Sequence, residues 1–355
     1  MISINSKIIN ALSGLLKQND LAQIRSIVEN IKTNVQKPSN DKNVIQNNVS
    51  KRKTDAVKSK FLLGELDQIL VTRTIERTKY YIQRLIRGLS ETKTGKINDI
   101  NLLKWKEYND ILTDSLWILE KRNTSGAHYG GYWGNFIPQI PNQLLRRYTK
   151  KGEWALDAFL GSGTSLIESK RLGRHGIGVE LLQKVANSAA KVIEREDNLY
   201  STRTEIIIGD SSSLDFEHEL YRRKIKSVQF LIMHPPYWDI IKFSKNKRDL
   251  SNAKSIEDFL KLFGKTVDAT YPVLDKDRYF ALVIGDKYSG GNWIPLGFYT
   301  MQEVLKRGYS LKSIIIKNFD ETKGKRNQKE LWRYRAFVGG FYIFKHEYIF
   351  LFKKK

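Results

Sequence analysis

Apolar residues recur at helical spacing through the first part of the chain. Ile8, Ile9, Leu12, Leu15 and Leu16 run on into Leu21, Ile24, Ile27, Val28 and Ile31, which predicts helix over residues 1–34. The pattern returns at Leu62, Leu66, Ile69 and Leu70, then at Tyr80, Tyr81, Leu85 and Ile86, predicting helix from Phe61 to Ser90. A third helix is expected over about Leu102 to Lys121. Residues 36–60 differ: they are polar, rich in Asn and Lys, and read as a mobile linker. Residues 1–123 are therefore expected to form a helical accessory region, with that linker inside it.

From Thr124 the pattern changes to glycine and aromatic residues, ending at Phe136 and Pro138-Gln139-Ile140-Pro141, with a short helix to follow at Asn142 to Tyr148. Strand and helix signals then alternate to the end. Strands are expected at 154–159, 176–180, 204–209, 228–233, 279–285, 311–317 and 347–353. Helices are expected at about 163–172, 183–196, 255–274 and 296–307. Alternation of this kind predicts an α/β domain over 124–355, built on a doubly wound, mostly parallel sheet. The strands around Ile314 and Ile349 are joined by a long basic segment without a clear helix. They are expected to pair as an antiparallel hairpin at the sheet edge.

Two stretches carry chemistry. The apolar run Val228-Gln229-Phe230-Leu231-Ile232 ends in Met233-His234-Pro235-Pro236-Tyr237-Trp238. Paired prolines stop a strand and set a rigid, extended turn. That turn places an imidazole, a free carbonyl and two aromatic rings at the carboxyl end of the sheet, where open α/β sheets bind ligands. Upstream, the strand Trp154 to Phe159 runs into Gly161-Ser162-Gly163, and Thr164 opens a helix. Glycines here let a ligand lie against backbone amides at a helix N-terminus. No Gly-Lys-Ser/Thr follows, so this is not a nucleoside triphosphate loop. Asp157, Glu180 and Asp210 sit at three successive strand ends. Asp157 could accept from an ammonium group, Glu180 from ribose hydroxyls and Asp210 from an adenine amino group. Any one of these acids alone would read equally well as a helix cap or a surface charge.

Composition narrows the partners. With 61 Lys and Arg against 38 Asp and Glu, the formal net charge is +23, which favours a polyanion such as nucleic acid. The bland alternative is a lysine-rich protein from an A+T-rich genome. No apolar run reaches the length of a membrane span, and the first residues lack the apolar stretch of a signal peptide. A cytoplasmic protein is expected. The chain has no cysteine, which excludes disulfides, thiolate metal sites and cysteine nucleophiles, and no metal is expected.

Asp157-Ala158-Phe159-Leu160-Gly161-Ser162-Gly163-Thr164 resembles the cofactor motif of S-adenosylmethionine-dependent DNA amino-methyltransferases, which usually reads Asp-Pro-Phe-x-Gly-Ser-Gly-Thr. His234-Pro235-Pro236-Tyr237 is similar to their catalytic motif, in which Asp, Asn or Ser precedes Pro-Pro-Tyr. The segment around Phe136 resembles the one that precedes the cofactor motif and closes over the methionine end. The resemblance covers roughly residues 124–355. It implies a seven-stranded Rossmann-like sheet, S-adenosylmethionine as cofactor, and a target base flipped out of duplex DNA. It assigns cofactor binding to Phe136, Asp157, Phe159, Gly161, Gly163, Thr164, Glu180 and Asp210, and catalysis to His234, Pro235, Pro236 and Tyr237. In this family Pro-Pro-Tyr-Trp more often accompanies methylation of cytosine N4, which is favoured here over adenine N6.

The residues suit that chemistry. An exocyclic amino group is a poor nucleophile because its lone pair is delocalised into the ring. Acceptors that hold its N–H bonds, here the Pro235 carbonyl and a neutral His234, can pull it toward tetrahedral geometry. Tyr237 can stack on the flipped base and Trp238 can extend that wall. Methylation at cytosine C5 would need a cysteine, and there is none. Lys242, Lys245 and Arg248 follow the catalytic turn and suit phosphate contact. Residues 317–345 mix Arg326, Arg333 and Arg335 with aromatic rings, which suits DNA. Gly285-Asp286 could shape the same cleft. A restriction–modification or other defence setting is expected, with a specificity or restriction subunit as a further partner. The rivals are an RNA amino-methyltransferase and a non-catalytic nucleic-acid-binding subunit that keeps the fold.

Overall fold

The computed structural model describes residues 4–36, 49–119, 121–319 and 329–355. The chain separates into two compact units, residues 1–96 with 100–110, and residues 97–99 with 111–355. The division falls near residue 110 rather than 123.

The first unit is helical: α1 (Ile4–Leu15), α2 (Leu21–Gln36), α3 (Val49–Leu70) and α4 (Ile75–Ser90). Each of the two long helices expected from periodicity is broken in two by a capping residue. Asp20 Oδ1 accepts from the Ala22 amide at 2.8 Å, and Thr74 Oγ1 accepts from the Arg77 amide at 3.2 Å. Apolar spacing runs through both breaks because both helices of each pair face one core, which buries Leu12, Ile24, Val28, Leu66, Ile69 and Ile82. The linker expected at 36–60 is corrected in part. Residues 37–48 lie outside the described residues, while α3 already begins at Val49. The helix expected at 102–121 reduces to a short 3-10 segment, Leu102–Glu107, kinked at Lys104.

The second unit holds an eight-stranded sheet. Its strands are β1 (Leu116–Trp117), β2 (Trp154–Asp157), β3 (His175–Glu180), β4 (Thr204–Ile208), β5 (Val228–Met233), β6 (Leu274–Ile284), β9 (Tyr309–Asn318) and β10 (His346–Lys354). A separate hairpin pairs β7 (Lys287–Ser289) with β8 (Asn292–Ile294). The sheet order is β1-β9-β10-β6-β5-β2-β3-β4. The seven expected strands are all present, and the two-residue β1 adds an eighth at the edge. Strands β4, β3, β2, β5 and β6 are mutually parallel, whereas β10 runs antiparallel to both β6 and β9. The β9–β10 hairpin thus forms as expected, but β1 covers its outer side.

Helices flank the sheet: α5 (Gln139–Tyr148), α6 (Thr164–Leu172), α7 (Gln183–Glu194), α8 (Phe216–Arg222), α9 (Ile256–Thr270), α10 (Leu296–Leu305) and α11 (Lys329–Gly339). Strand β5 shows why both faces are covered. Leu231 and Met233 point into one core with Phe259, Phe263 and Phe280; Phe230 and Ile232 point into the other with Ile140 and Leu144. α11 corrects the expectation of a helix-free segment between the last two strands. Its Leu331, Tyr334, Phe337 and Val338 are exposed, so no buried stripe announced it. Among the described residues, no helix is long and apolar enough to cross a membrane.

One glycine on β3 is fixed by packing. A Cβ at Gly178 would sit 2.6 Å from Leu160 Cδ1, inside the loop that carries the glycine turn. Gly178→Ala should therefore destabilise the protein by about 1–3 kcal/mol through overpacking. A urea midpoint unchanged from wild type would contradict this.

Candidate active site

The strand order reverses at β2, which lies between β3 and β5. Such switch points open a crevice at the carboxyl ends of the strands. Both motifs lie there. The glycine turn leaves β2 and the proline turn leaves the adjacent β5, with Asp157 opposite Ile232 in register. Between them opens a cavity of about 1050 Å³, at the upper end of the usual range for ligand sites.

The glycine turn is built by left-handed backbone. Gly161 and Gly163 have φ of 52° and 84°, and Gly163 precedes the first residue of α6. A Cβ at Gly161 would sit 3.0 Å from Tyr132 Cε1, so the turn packs directly against the aromatic loop. Glu180, at the end of β3, braces the turn. Its two oxygens accept from the Gly161 amide at 3.0 Å and the Leu182 amide at 2.9 Å. Burial nonetheless pushes its carboxyl up to about 7. Asp210 accepts from the Ser212 amide and hydroxyl on Oδ1 alone, at 2.9 and 2.8 Å. Both acids line the cavity and keep unused lone pairs there, which fits a ligand rich in hydroxyl and amino donors.

The proline turn brings His234, Pro235, Pro236 and Tyr237 to the same cavity. The Phe136 ring packs 5.1 Å from the His234 ring, centre to centre. His234 Nε2 lies 3.1 Å from Tyr237 Oη, and that hydroxyl donates to Glu347 Oε2 at 2.9 Å. Burial lowers the imidazole to about 4, with Glu347 acting in the opposite sense, so His234 is neutral near pH 7. Burial and the Glu347 carboxylate raise the Tyr237 phenol well above its ordinary value.

Of the expected site residues, Phe136, Phe159, Gly161, Glu180, Asp210, His234, Pro235, Pro236, Tyr237 and Arg248 line this cavity, as do Gly285 and Asp286. Others stand elsewhere. Asp157 is buried behind the turn, where it accepts from the Phe159 amide at 3.0 Å and from the Ser165 hydroxyl. Burial raises its carboxyl to about 6. It therefore ties β2 to the first turn of α6 and does not line the cavity. Thr164 donates to Asn135 Oδ1 at 2.8 Å, and Gly163 packs on Ile193; both shape the turn from outside the cavity. Trp238 donates to the Ala253 carbonyl at 3.0 Å, and its ring lies under Lys287 at 4.0 Å, so it anchors the turn rather than extending the cavity wall. Lys242 donates to the Ser251 carbonyl at 3.0 Å, while Lys245 is exposed. Arg333 and Arg335 are exposed on α11, over the rings of Phe337 and Trp332. Arg326 lies outside the described residues.

Sequence reading missed Asn135, Lys317 and Glu347. The last two are charges inside apolar strand runs, at Ile314-Ile315-Ile316-Lys317 and His346-Glu347-Tyr348-Ile349. A charge interrupting a buried strand was the available signal.

A family model described as a DNA methylase, of the N6/N4 methyltransferase type, matches residues 1–191 and 228–355. The type II methyltransferase M2.DpnII of Streptococcus pneumoniae is 28% identical over 202 residues, covering 54% of this chain and 67% of that protein. The type II methyltransferase M.MjaII of Methanocaldococcus jannaschii is 34% identical over 80 residues, 22% of this chain and 14% of that one. M.HindIII of Haemophilus influenzae, also a type II methyltransferase, is 32% identical over 118 residues, 32% and 36% of the two chains. The chain thus spans well under two thirds of the last two relatives. With the family match running over most of the sequence and both motifs meeting at the switch point, the chain belongs to the S-adenosylmethionine-dependent DNA amino-methyltransferase family.

Proposed function

We propose that this protein transfers a methyl group from S-adenosylmethionine to an exocyclic amino group of a base in DNA, with cytosine N4 as the target, within a restriction–modification or other defence system. The observation that carries the reading is the meeting of the His234-Pro235 turn with the Gly161 turn, Glu180 and Asp210 in one cavity. Phe136, Phe159, Gly161, Glu180 and Asp210 would hold the cofactor, which supplies an electrophilic methyl when bound. The chain's own part is to bind, orient and keep the base amino group reactive. Pro235 offers a carbonyl and His234 a neutral ring nitrogen, so both amino N–H bonds meet acceptors. Such contacts free the nitrogen lone pair. The preference for cytosine N4 rests on Pro235-Pro236-Tyr237-Trp238.

Arg248 at the cavity and the exposed face of α11, with Arg333, Tyr334, Arg335 and Phe337, suit DNA backbone and base contacts. A specificity or restriction subunit would complete the recognition of sequence. Transfer of tritium from labelled S-adenosylmethionine to unmethylated duplex DNA tests the reading. Label on RNA and not on DNA would replace DNA as the substrate.

Glu180 gives this site a pH signature. Its carboxyl is raised to about 7 before ligand binds, so a proton is partly bound at neutral pH. A ligand hydroxyl that donates to Glu180 favours the carboxylate, lowers that pKa and releases the proton. Affinity for S-adenosylmethionine should therefore rise from about pH 6 to about pH 8 and then level. Calorimetry in two buffers of different ionisation enthalpy should show proton release near pH 6.5; equal heats in both would contradict it.

A further inference from the structure

Tyr237 Oη stands between two partners, His234 Nε2 at 3.1 Å and Glu347 Oε2 at 2.9 Å. The other Glu347 oxygen lies 3.0 Å from Lys317 Nζ. Lys317 and Glu347 are direct cross-strand partners on β9 and β10, and they are only 6% and 9% exposed. The order of protons along this chain follows from counting donors. In this ion pair Glu347 meets the Lys317 ammonium as a carboxylate, which can only accept. The single phenolic proton of Tyr237 therefore goes to Glu347. The Tyr237 oxygen can then only accept, so the imidazole proton sits on Nε2 of His234. That leaves the lone pair on Nδ1, which has no hydrogen-bond partner among the described residues, on a side chain that lines the cavity.

We propose that Lys317, Glu347 and Tyr237 form a positioning chain that fixes His234 in its Nε2–H tautomer and presents Nδ1 as the acceptor for one N–H of the target amino group. The proposal deepens the amino-methyltransferase reading and rests on it. It gives a physical reason why histidine can stand where relatives place Asp, Asn or Ser. A carboxylate accepts through either oxygen, but a neutral imidazole accepts at one nitrogen only, and the bond made by the other nitrogen decides which. In the opposite tautomer an N–H would point at the N–H of the substrate.

The test uses the full chain, labelled with ¹⁵N at histidine, with His234→Asn to identify the His234 signals. Long-range proton–nitrogen spectra near pH 7, without cofactor or DNA, should show protonated Nε2 and bare Nδ1 in the wild type. Tyr237→Phe removes the relay, and Lys317→Met with Glu347→Leu removes the pair without stranding a buried charge. Both should give a tautomer mixture, with kcat on DNA lower by about 10- to 100-fold and KM for S-adenosylmethionine unchanged. A wild-type Nδ1–H tautomer overturns the proposal, and so does an Nε2–H tautomer that persists in the double variant. A wild type that shows the expected tautomer but methylates no DNA overturns the functional reading, and with it the acceptor role, while the hold on the imidazole stands.

Discussion

Replacing His234 by alanine should cut methyl transfer by at least about 100-fold while leaving S-adenosylmethionine affinity near the wild-type value. The imidazole meets Tyr237 and Phe136 at the end of β5, whereas the residues suited to the cofactor, Phe136 apart, follow β2, β3 and β4. The two functions are carried by different strand ends, so they should separate by mutation. His234→Asn keeps an acceptor oxygen and should recover part of the lost rate. Because burial holds His234 at about 4, its protonation lies far below neutrality. The single-turnover rate should therefore show no loss attributable to His234 down to about pH 5. A His234→Ala rate equal to wild type would remove the imidazole from the mechanism.

Glu180→Ala should weaken S-adenosylmethionine binding by about 10- to 100-fold, the loss expected when one or two hydrogen bonds to a charged group disappear. The carboxylate serves the site twice. It faces the cavity, and it holds the Gly161 and Leu182 amides that fix the glycine turn. Asp157→Ala provides the contrast. Asp157 is buried away from the cavity and joins the Phe159 amide to Ser165. Its loss should appear first as lower stability, with weaker binding only as the turn relaxes. Calorimetric titration beside a denaturation curve separates the two. Unchanged affinity in Glu180→Ala would contradict the placement of the cofactor.

Much of this was legible in the sequence, for stated reasons. The strands that matter are short β-rich stretches with glycine or proline in or close after them, so β2, β3 and β5 stood out, and so did the turns that follow them. Asp157 was misread because its position at a strand end is visible in sequence but the direction of its side chain is not. Ser165, eight positions later in the first turn of α6, captures it. Trp238 was misread for a similar reason, since nothing local shows that Lys287 covers it. α8, only Phe216–Arg222, is too short for periodicity to reveal, and α11 lacks a buried stripe. Lys317 and Glu347 are 30 positions apart and meet only because β9 and β10 pair in that register.

The most direct measurement is chemical. The purified chain is incubated with S-adenosylmethionine and unmethylated bacterial DNA, and the DNA is digested to nucleosides for mass spectrometry. The account predicts methylation of an exocyclic amino group, with N4-methylcytosine as the product. N6-methyladenine would keep the chemistry and move the target base. 5-Methylcytosine, in a chain with no cysteine to form the covalent adduct, or DNA with no methylated base while S-adenosylmethionine binds, would contradict the central claim.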